Sequence, residues 1–236
     1  LIFIFIKAPA NNAAVICSNN GAGYFTISGS PQGALQSDYN VVLADLDNDG
    51  DLDAVNGQQA FLNDGNANFT VTGQTFSDTD NQLADLDGDG DIDIFNGLGE
   101  VWLNNGFALF TNSGQALGAS YNYDLDLADL DGDGDVDAIM VDYSPGAFVV
   151  LFNDGNGVFT AVAPILTGVN SRRYQLGDID NDGDMDIVGV KVWFNDGLGN
   201  FSDSWQDLNN SLYPNHRLGD FDGDGDLDIL SPEIMY

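Results

Sequence analysis

The densest chemistry in this chain is a nine-residue run of alternating aspartates that occurs five times. Residues 45–53 read Asp-Leu-Asp-Asn-Asp-Gly-Asp-Leu-Asp, and residues 85–93, 129–137, 178–186 and 220–228 repeat the pattern. The odd positions are Asp45, Asp47, Asp49, Asp51 and Asp53; Asp85, Asp87, Asp89, Asp91 and Asp93; Asp129, Asp131, Asp133, Asp135 and Asp137; Asp178, Asp180, Asp182, Asp184 and Asp186; and Asp220, Asp222, Asp224, Asp226 and Asp228. Position 6 is Gly in every copy, which permits the chain reversal that lets position 7 offer its backbone carbonyl. Carboxylates at positions 1, 3, 5 and 9 complete an oxygen-only cage for a hard cation. Ca²⁺ takes six to eight oxygens at ~2.3–2.6 Å, whereas Mg²⁺ demands a stricter octahedron and keeps more of its water. The expected cofactor is therefore Ca²⁺, about one ion per loop and five in all. The position-7 aspartates belong to the metal loops chiefly through their backbone.

An EF-hand opens similarly but needs a bidentate Glu at position 12 and flanking helices. Position 12 here is Asn56, Asn96, Met140, Gly189 or Ser231, so that reading fails. Simple solvated acidic turns are a poor alternative, because clustered carboxylates without a counter-ion repel one another. Positions 2 and 8 are apolar throughout, from Leu46 and Leu52 to Phe221 and Leu227, and are expected to anchor each loop in the core.

The elements that must hold these loops follow from a second motif. Asn63-Asp-Gly…Phe69, Asn104-Asn-Gly…Phe110, Asn153-Asp-Gly…Phe159 and Asn195-Asp-Gly…Phe201 alternate with the acidic runs, and Asn19-Asn-Gly…Phe25 precedes the first. Asn-Gly and Asp-Gly are hairpin signals because these residues tolerate positive φ. Each unit reads as four short strands: one entering the acidic loop, one leaving it, a third after a turn, and a fourth after the hairpin. No stretch carries a convincing 3.6-residue apolar period, so the chain reads as all-β. Four strands in a unit of about 40–45 residues is the period of a β-propeller blade. Residues 4–12 match a second strand and its turn, residues 13–18 a third strand, and residues 233–236 another third strand. Four complete units flanked by two partial ones predict about six blades in a single domain spanning residues 1–236, as a whole or as part of a larger propeller.

Composition sets the outer limits. The formal charge is −33 with only five Lys and Arg. Such a surface repels phosphate backbones, which excludes nucleic acid as a partner. Aromatics at 11% argue against a disordered acidic chain. Cys17 stands alone, so no disulfide framework is predicted. No apolar run reaches the ~20 residues of a membrane-spanning helix. Residues 1–6 are too short for a signal h-region and are expected to be part of the fold.

Residues 84–94, Ala-Asp-Leu-Asp-Gly-Asp-Gly-Asp-Ile-Asp-Ile, resemble the core of the FG-GAP/VCBS repeat family, and Ile6-Lys-Ala-Pro-Ala10 is similar to its Gly-Ala-Pro segment. The resemblance covers nearly the whole chain. It implies an integrin-α-like calcium-binding propeller, with aspartates 1, 3, 5 and 9 of each loop as ligands. It also implies an extracellular or cell-surface setting and a role in adhesion or lectin-like recognition. Partners would be a glycan or an extracellular protein, with self-assembly through terminal edge strands a further expectation. A structural subunit of a surface layer or filament, and an accessory domain of a secreted polysaccharide-active enzyme, are the alternatives.

Catalysis is not expected. His216 is the only histidine, and neither Gly-x-Ser-x-Gly nor His-Glu-x-x-His occurs. A ligand face is expected where the chain enters the first strand of each blade, far from the acidic loops. Tyr39, Tyr123, Arg172, Arg173, Tyr174, His216 and Arg217 gather there in the sequence. Arg would fork a carboxylate and Tyr would stack on a ring.

Overall fold

The computed structural model describes residues 3–7, 14–19, 22, 24–29, 41–77, 80–115, 117, 122–142, 147–162, 166–167, 173–208 and 216–230. Those residues form strands and turns, with no helix among them. Strands β1 (Phe3–Lys7), β2 (Ala14–Asn19) and β3 (Phe25–Gly29) make a three-stranded sheet. Three complete units follow as meanders in chain order: β4 (Val41–Ala44) to β5 (Asp53–Asn56), β6 (Gln59–Asn63) and β7 (Phe69–Thr75); then β8 (Asn81–Ala84), β9 (Asp93–Asn96), β10 (Val101–Leu103) and β11 (Thr111–Asn112); then β12 (Asn122–Ala128), β13 (Asp137–Asp142), β14 (Ala147–Asn153) and β15 (Phe159–Ala161). In the last of these, β16 (Leu166–Thr167) also pairs with β14. A fourth meander is β17 (Gln175–Gly177), β18 (Asp186–Val188), β19 (Lys191–Asn195) and β20 (Phe201–Asp207), and β21 (Arg217–Gly219) pairs with β22 (Asp228–Leu230).

Six antiparallel sheets among the described residues answer to the six units expected. Residues 3–7 are strand, within the segment expected to join the fold, while residues 233–236 lie outside the described set. Each acidic loop closes on a ladder pair. Ala44 faces Asp53, Ala84 faces Asp93, Ala128 faces Asp137, Gly177 faces Asp186 and Gly219 faces Asp228.

The chain divides into two compact units, one of residues 1–85, 89–96 and 100–114 and the other of residues 86–88, 97–99 and 115–236. In the first, Leu46, Val55, Ala60, Phe76, Ile94, Ala108 and Phe110 form one core cluster, and Ala54, Phe61 and Phe69 form another. Ala54 and Val55 are neighbours in β5 yet join different clusters, because successive strand side chains leave opposite faces. Both faces of β5 are buried along its whole length. Phe76 stands edge-on to Trp102 and Phe110, with centroids 5.3 and 5.5 Å away. In the second unit, Phe148 is edge-on to Tyr174 at 5.1 Å and Trp193 at 5.4 Å, within a cluster that includes Leu130, Ile139 and Ile187.

The hairpin asparagines stitch these layers. Asn104 Nδ2 donates to Ile92 O at 3.1 Å in its own unit and to Leu46 O at 2.8 Å in the loop of the preceding sheet. Asn195 Nδ2 does the same with Met185 O at 3.2 Å and Leu130 O at 2.9 Å. Asn153 Nδ2 reaches Val136 O at 3.1 Å and Leu86 O at 2.8 Å. Glutamine amides add a two-point clasp: Gln74 binds both the N–H and the C=O of Phe110, each at 2.9 Å, and Gln115 binds Phe159 N–H and Gly157 C=O at 2.8 and 2.6 Å.

Asn195 is 4% exposed, so its loss strands two carbonyls away from water. Asn195→Ala is expected to destabilise the second unit by about 2–3 kcal/mol. The exposed Thr160→Ala should cost less than about 0.5 kcal/mol. Urea unfolding of the two variants checks the difference.

Candidate metal centres

Each acidic loop is held by its own aspartates before any ion is considered. The position-1 carboxylate accepts the position-6 N–H in all five copies: Asp45–Gly50 at 2.9 Å, Asp85–Gly90 at 3.0 Å, and Asp129–Gly134, Asp178–Gly183 and Asp220–Gly225 at 3.1 Å. That bond needs the left-handed turn at position 6, where φ runs from 92° at Gly50 to 100° at Gly183. Position 5 accepts the position-7 N–H, as in Asp49–Asp51 and Asp133–Asp135, both at 2.9 Å.

Position 9 ties the loop to the rest of its blade. Asp53, Asp93, Asp137 and Asp186 are 0% exposed. Asp53 Oδ2 accepts Leu46 N–H at 2.9 Å and its Oδ1 accepts Asn63 N–H at 2.7 Å. Asp137 repeats this with Leu130 at 2.9 Å and Asn153 at 2.8 Å, and Asp186 with Ile179 at 2.9 Å and Asn195 at 2.8 Å.

Positions 1, 3 and 9 converge. In each of the triplets Asp45/Asp47/Asp53, Asp85/Asp87/Asp93, Asp129/Asp131/Asp137, Asp178/Asp180/Asp186 and Asp220/Asp222/Asp228, one carboxylate oxygen per residue lies within 4.8 Å of the others. The side chains of position 5, namely Asp49, Asp89, Asp133, Asp182 and Asp224, stand outside these triplets. Those of position 7 turn elsewhere. A Cβ added to hairpin Gly155 would lie 2.5 Å from Asp135 Oδ2, one at Gly197 2.5 Å from Asp184 Oδ2, and one at Gly106 2.8 Å from Asp91. Asp91 also accepts a 2.7 Å bond from Asn48 Nδ2, and Asp226 a 2.6 Å bond from Asn181 Nδ2. Position 7 therefore lies against the hairpin of its own unit and, at Asp91 and Asp226, also against position 4 of the preceding acidic loop.

The electrostatics of the triplets call for a cation. Burial pushes the Asp53 and Asp137 carboxyls up to about 6, against the pull of their two backbone donors, with the charges of positions 3 and 5 adding to the rise. Asp47, Asp131 and Asp180 are raised too, first by burial and then by the position-5 carboxylates. Asp47 Oδ1 is buried with no hydrogen-bond partner. Converging hard oxygens, one of them orphaned, fit a divalent cation.

Position 2 anchors the loops as expected at Leu46, Leu86 and Leu130, each 1% exposed. Phe221 at position 2 and Leu52 and Met185 at position 8 do not, being 58%, 46% and 40% exposed, whereas Ile92 at position 8 packs partly buried against a core cluster.

The proposed ligand face is rearranged. Tyr174 and His216, expected at the surface, are 2% and 1% exposed. The Tyr174 hydroxyl donates to Ile139 O at 2.7 Å and its ring packs on Phe148, so it completes a core. Burial lowers the His216 pKa below the usual imidazole value. Arg173 and Arg217 are exposed, and Arg217 donates to His216 O at 2.8 Å. Tyr39 and Arg172 lie outside the described residues, and Tyr123 is placed only by its backbone in β12.

Comparison with known proteins agrees with this architecture. Residues 129–189 match the FG-GAP-like repeat family, the family that the motifs resemble. No curated protein matches the chain. Among solved structures it is similar to an Agrocybe aegerita lectin that recognises non-reducing terminal N-acetylglucosamine, at 22% identity and a TM-score of 0.61, over 94% of this chain and 69% of that one. It is also similar to the V. cholerae biofilm matrix protein Bap1, at 18% identity and a TM-score of 0.51, over 81% of this chain and 34% of Bap1. The chain thus spans about a third of the length of Bap1. The class is all-β, built of β-propeller blades.

Asp131 lies in a converging triplet and Asp135 points at a hairpin glycine. Asp131→Ala is expected to lower the number of bound divalent ions by one, while Asp135→Ala leaves the number unchanged. Titration calorimetry on the two variants checks this, and equal losses would refute the assignment.

Proposed function

We propose that this chain is an extracellular calcium-binding β-propeller module that recognises carbohydrate or protein and is not itself an enzyme. The observation that carries the calcium reading is the convergence of three carboxylate oxygens within 4.8 Å in all five loops. Ca²⁺ suits a set made only of oxygens on a flexible loop better than Mg²⁺ does. Positions 1, 3 and 9 would hold the ion, and bound calcium supplies positive charge to carboxylates that burial and mutual repulsion disfavour. Position 9 also holds the loop and hairpin together, so the ion reinforces a joint of the blade.

Recognition is supported by the likeness to a lectin, and the extracellular setting by the likeness to a biofilm matrix protein. Among the described residues no helix is long and apolar enough to cross a membrane. The Bap1 likeness also favours a second reading, in which the module is a structural part of an extracellular matrix or of a larger secreted protein.

Calcium that binds only the folded state adds roughly 2.7 kcal/mol per site at a hundred times its Kd. Excess EDTA is therefore expected to lower the melting temperature sharply, with Ca²⁺ restoring it and Mg²⁺ restoring little. A melting temperature indifferent to EDTA would remove calcium from the proposal.

A further inference from the structure

The outermost strands β7 and β20 share a bulge. In β7, Gln59 pairs with Thr75 and Phe61 with Val71, so Thr72, Gly73 and Gln74 bridge the shift. In β20, Lys191 pairs with Asp207 and Trp193 with Asp203, so Ser204, Trp205 and Gln206 do so. Residues 69–74, 110–115 and 201–206 read Phe-Thr-Val-Thr-Gly-Gln, Phe-Thr-Asn-Ser-Gly-Gln and Phe-Ser-Asp-Ser-Trp-Gln. The fifth residue is left-handed in each, with φ of 86° at Gly73, 81° at Gly114 and 62° at Trp205. Glycine is the ordinary occupant of that conformation, and a bulky side chain there is an outlier.

Burial could offset the strain, but Trp205 is 86% exposed. Gly73 and Gly114 are exposed as well, although Gln74 and Gln115 beside them are clasped to the next hairpin. An apolar ring is thus held in water on a backbone that disfavours it, which points to function.

The main chain that carries the ring is also held. The Trp205 main-chain N–H donates to Asp203 Oδ1 at 2.7 Å, and Asp203 Oδ2 holds Lys191 Nζ at 2.8 Å. Lys191 Nζ lies 3.8 Å from Asp207 Oδ1 and 5.9 Å from the indole centroid, over the ring. The ammonium stands on one side of the indole, whose surface remains largely open to solvent. A flat apolar face edged by two acceptors and one donor matches a pyranose, whose C–H face stacks and whose hydroxyls both donate and accept. Asp203, Asp207 and the net charge of −33 disfavour a uronic acid and select a neutral sugar.

We infer that Trp205, framed by Asp203, Lys191 and Asp207, is a stacking platform for a neutral pyranose. This site rests on the carbohydrate reading proposed above.

The test is an array of immobilised neutral and acidic oligosaccharides probed with the calcium-loaded protein, then fluorescence titration with the tightest-binding glycan. Trp193 is 4% exposed and Trp102 is partly buried, so emission quenched by acrylamide comes mainly from Trp205. The bound sugar is expected to shield that emission. Trp205→Gly, which places here the residue found at Gly29, Gly73 and Gly114, is expected to weaken binding roughly tenfold, as loss of one stacking contact implies. Its melting temperature should stay level or rise, and Trp205→Tyr should bind between the two. If the protein binds a glycan and Trp205→Gly binds it equally, the platform is refuted while the carbohydrate reading stands. If the protein binds nothing on the array, both fall. If Trp205→Gly lowers the melting temperature along with binding, the quenching decides: an unshielded Trp205 in the wild-type complex overturns the proposal.

Discussion

The carboxylate at position 9, buried in four of the five acidic loops, is the interaction on which the rest depends. Removing a carboxylate from water is costly unless donors or a cation replace the lost hydration. Asp53, Asp137 and Asp186 each receive two backbone N–H groups, one from the start of their own loop and one from the hairpin asparagine. Those bonds fix the hairpin against the loop. The rise of Asp53 and Asp137 to about 6 shows that two donors leave the charge under-compensated. The same residue is thus a joint of the fold and a place where positive charge is wanted.

Much of this was legible in the sequence, because each rule acts locally. Alternating Asp and apolar residues, Gly at position 6 and Asn-x-Gly before Phe each follow from a dihedral or a ligand chemistry that few residues satisfy. Position 4 is a further case: it is Asn48 or Asn181 at φ of 62° and 61°, and Gly88, Gly132 or Gly223 elsewhere, all left-handed. What was hidden depends on partners distant in the chain. Nothing in the spacing says that the position-7 carboxylate turns toward a hairpin glycine rather than solvent. Nor does it say that the hairpin asparagine reaches the loop of the preceding sheet. Tyr174 and His216 looked like loop residues of a polar face, yet they are buried. Residues just ahead of a first strand can fill a core, and burial there is not periodic.

The oddity of Trp205 is legible in the sequence. Aligning the strands after each hairpin Phe sets Gly29, Gly73, Gly114 and Ala163 against Trp205. A glycine required by its backbone and replaced by the largest side chain is a signal visible without coordinates. It shows only when repeats are compared at their least acidic positions, because the aspartates dominate every other comparison.

The repeats are also coupled, and the coupling runs through the metal-binding loops. Leu46 N–H binds Asp53, Leu46 C=O accepts Asn104 Nδ2, and Asn104 N–H binds Asp93 at 2.7 Å. Leu130 links Asp137 to Asn195, and thence to Asp186, in the same way within the other compact unit. One residue therefore serves the position-9 aspartate of its own loop through its N–H and the hairpin of the next unit through its C=O. In repeat architectures stability is the sum of unit terms and nearest-neighbour terms. Here the nearest-neighbour term is anchored on the residues that would hold the ions, so ordering one acidic loop lowers the free energy needed to order the loop beside it.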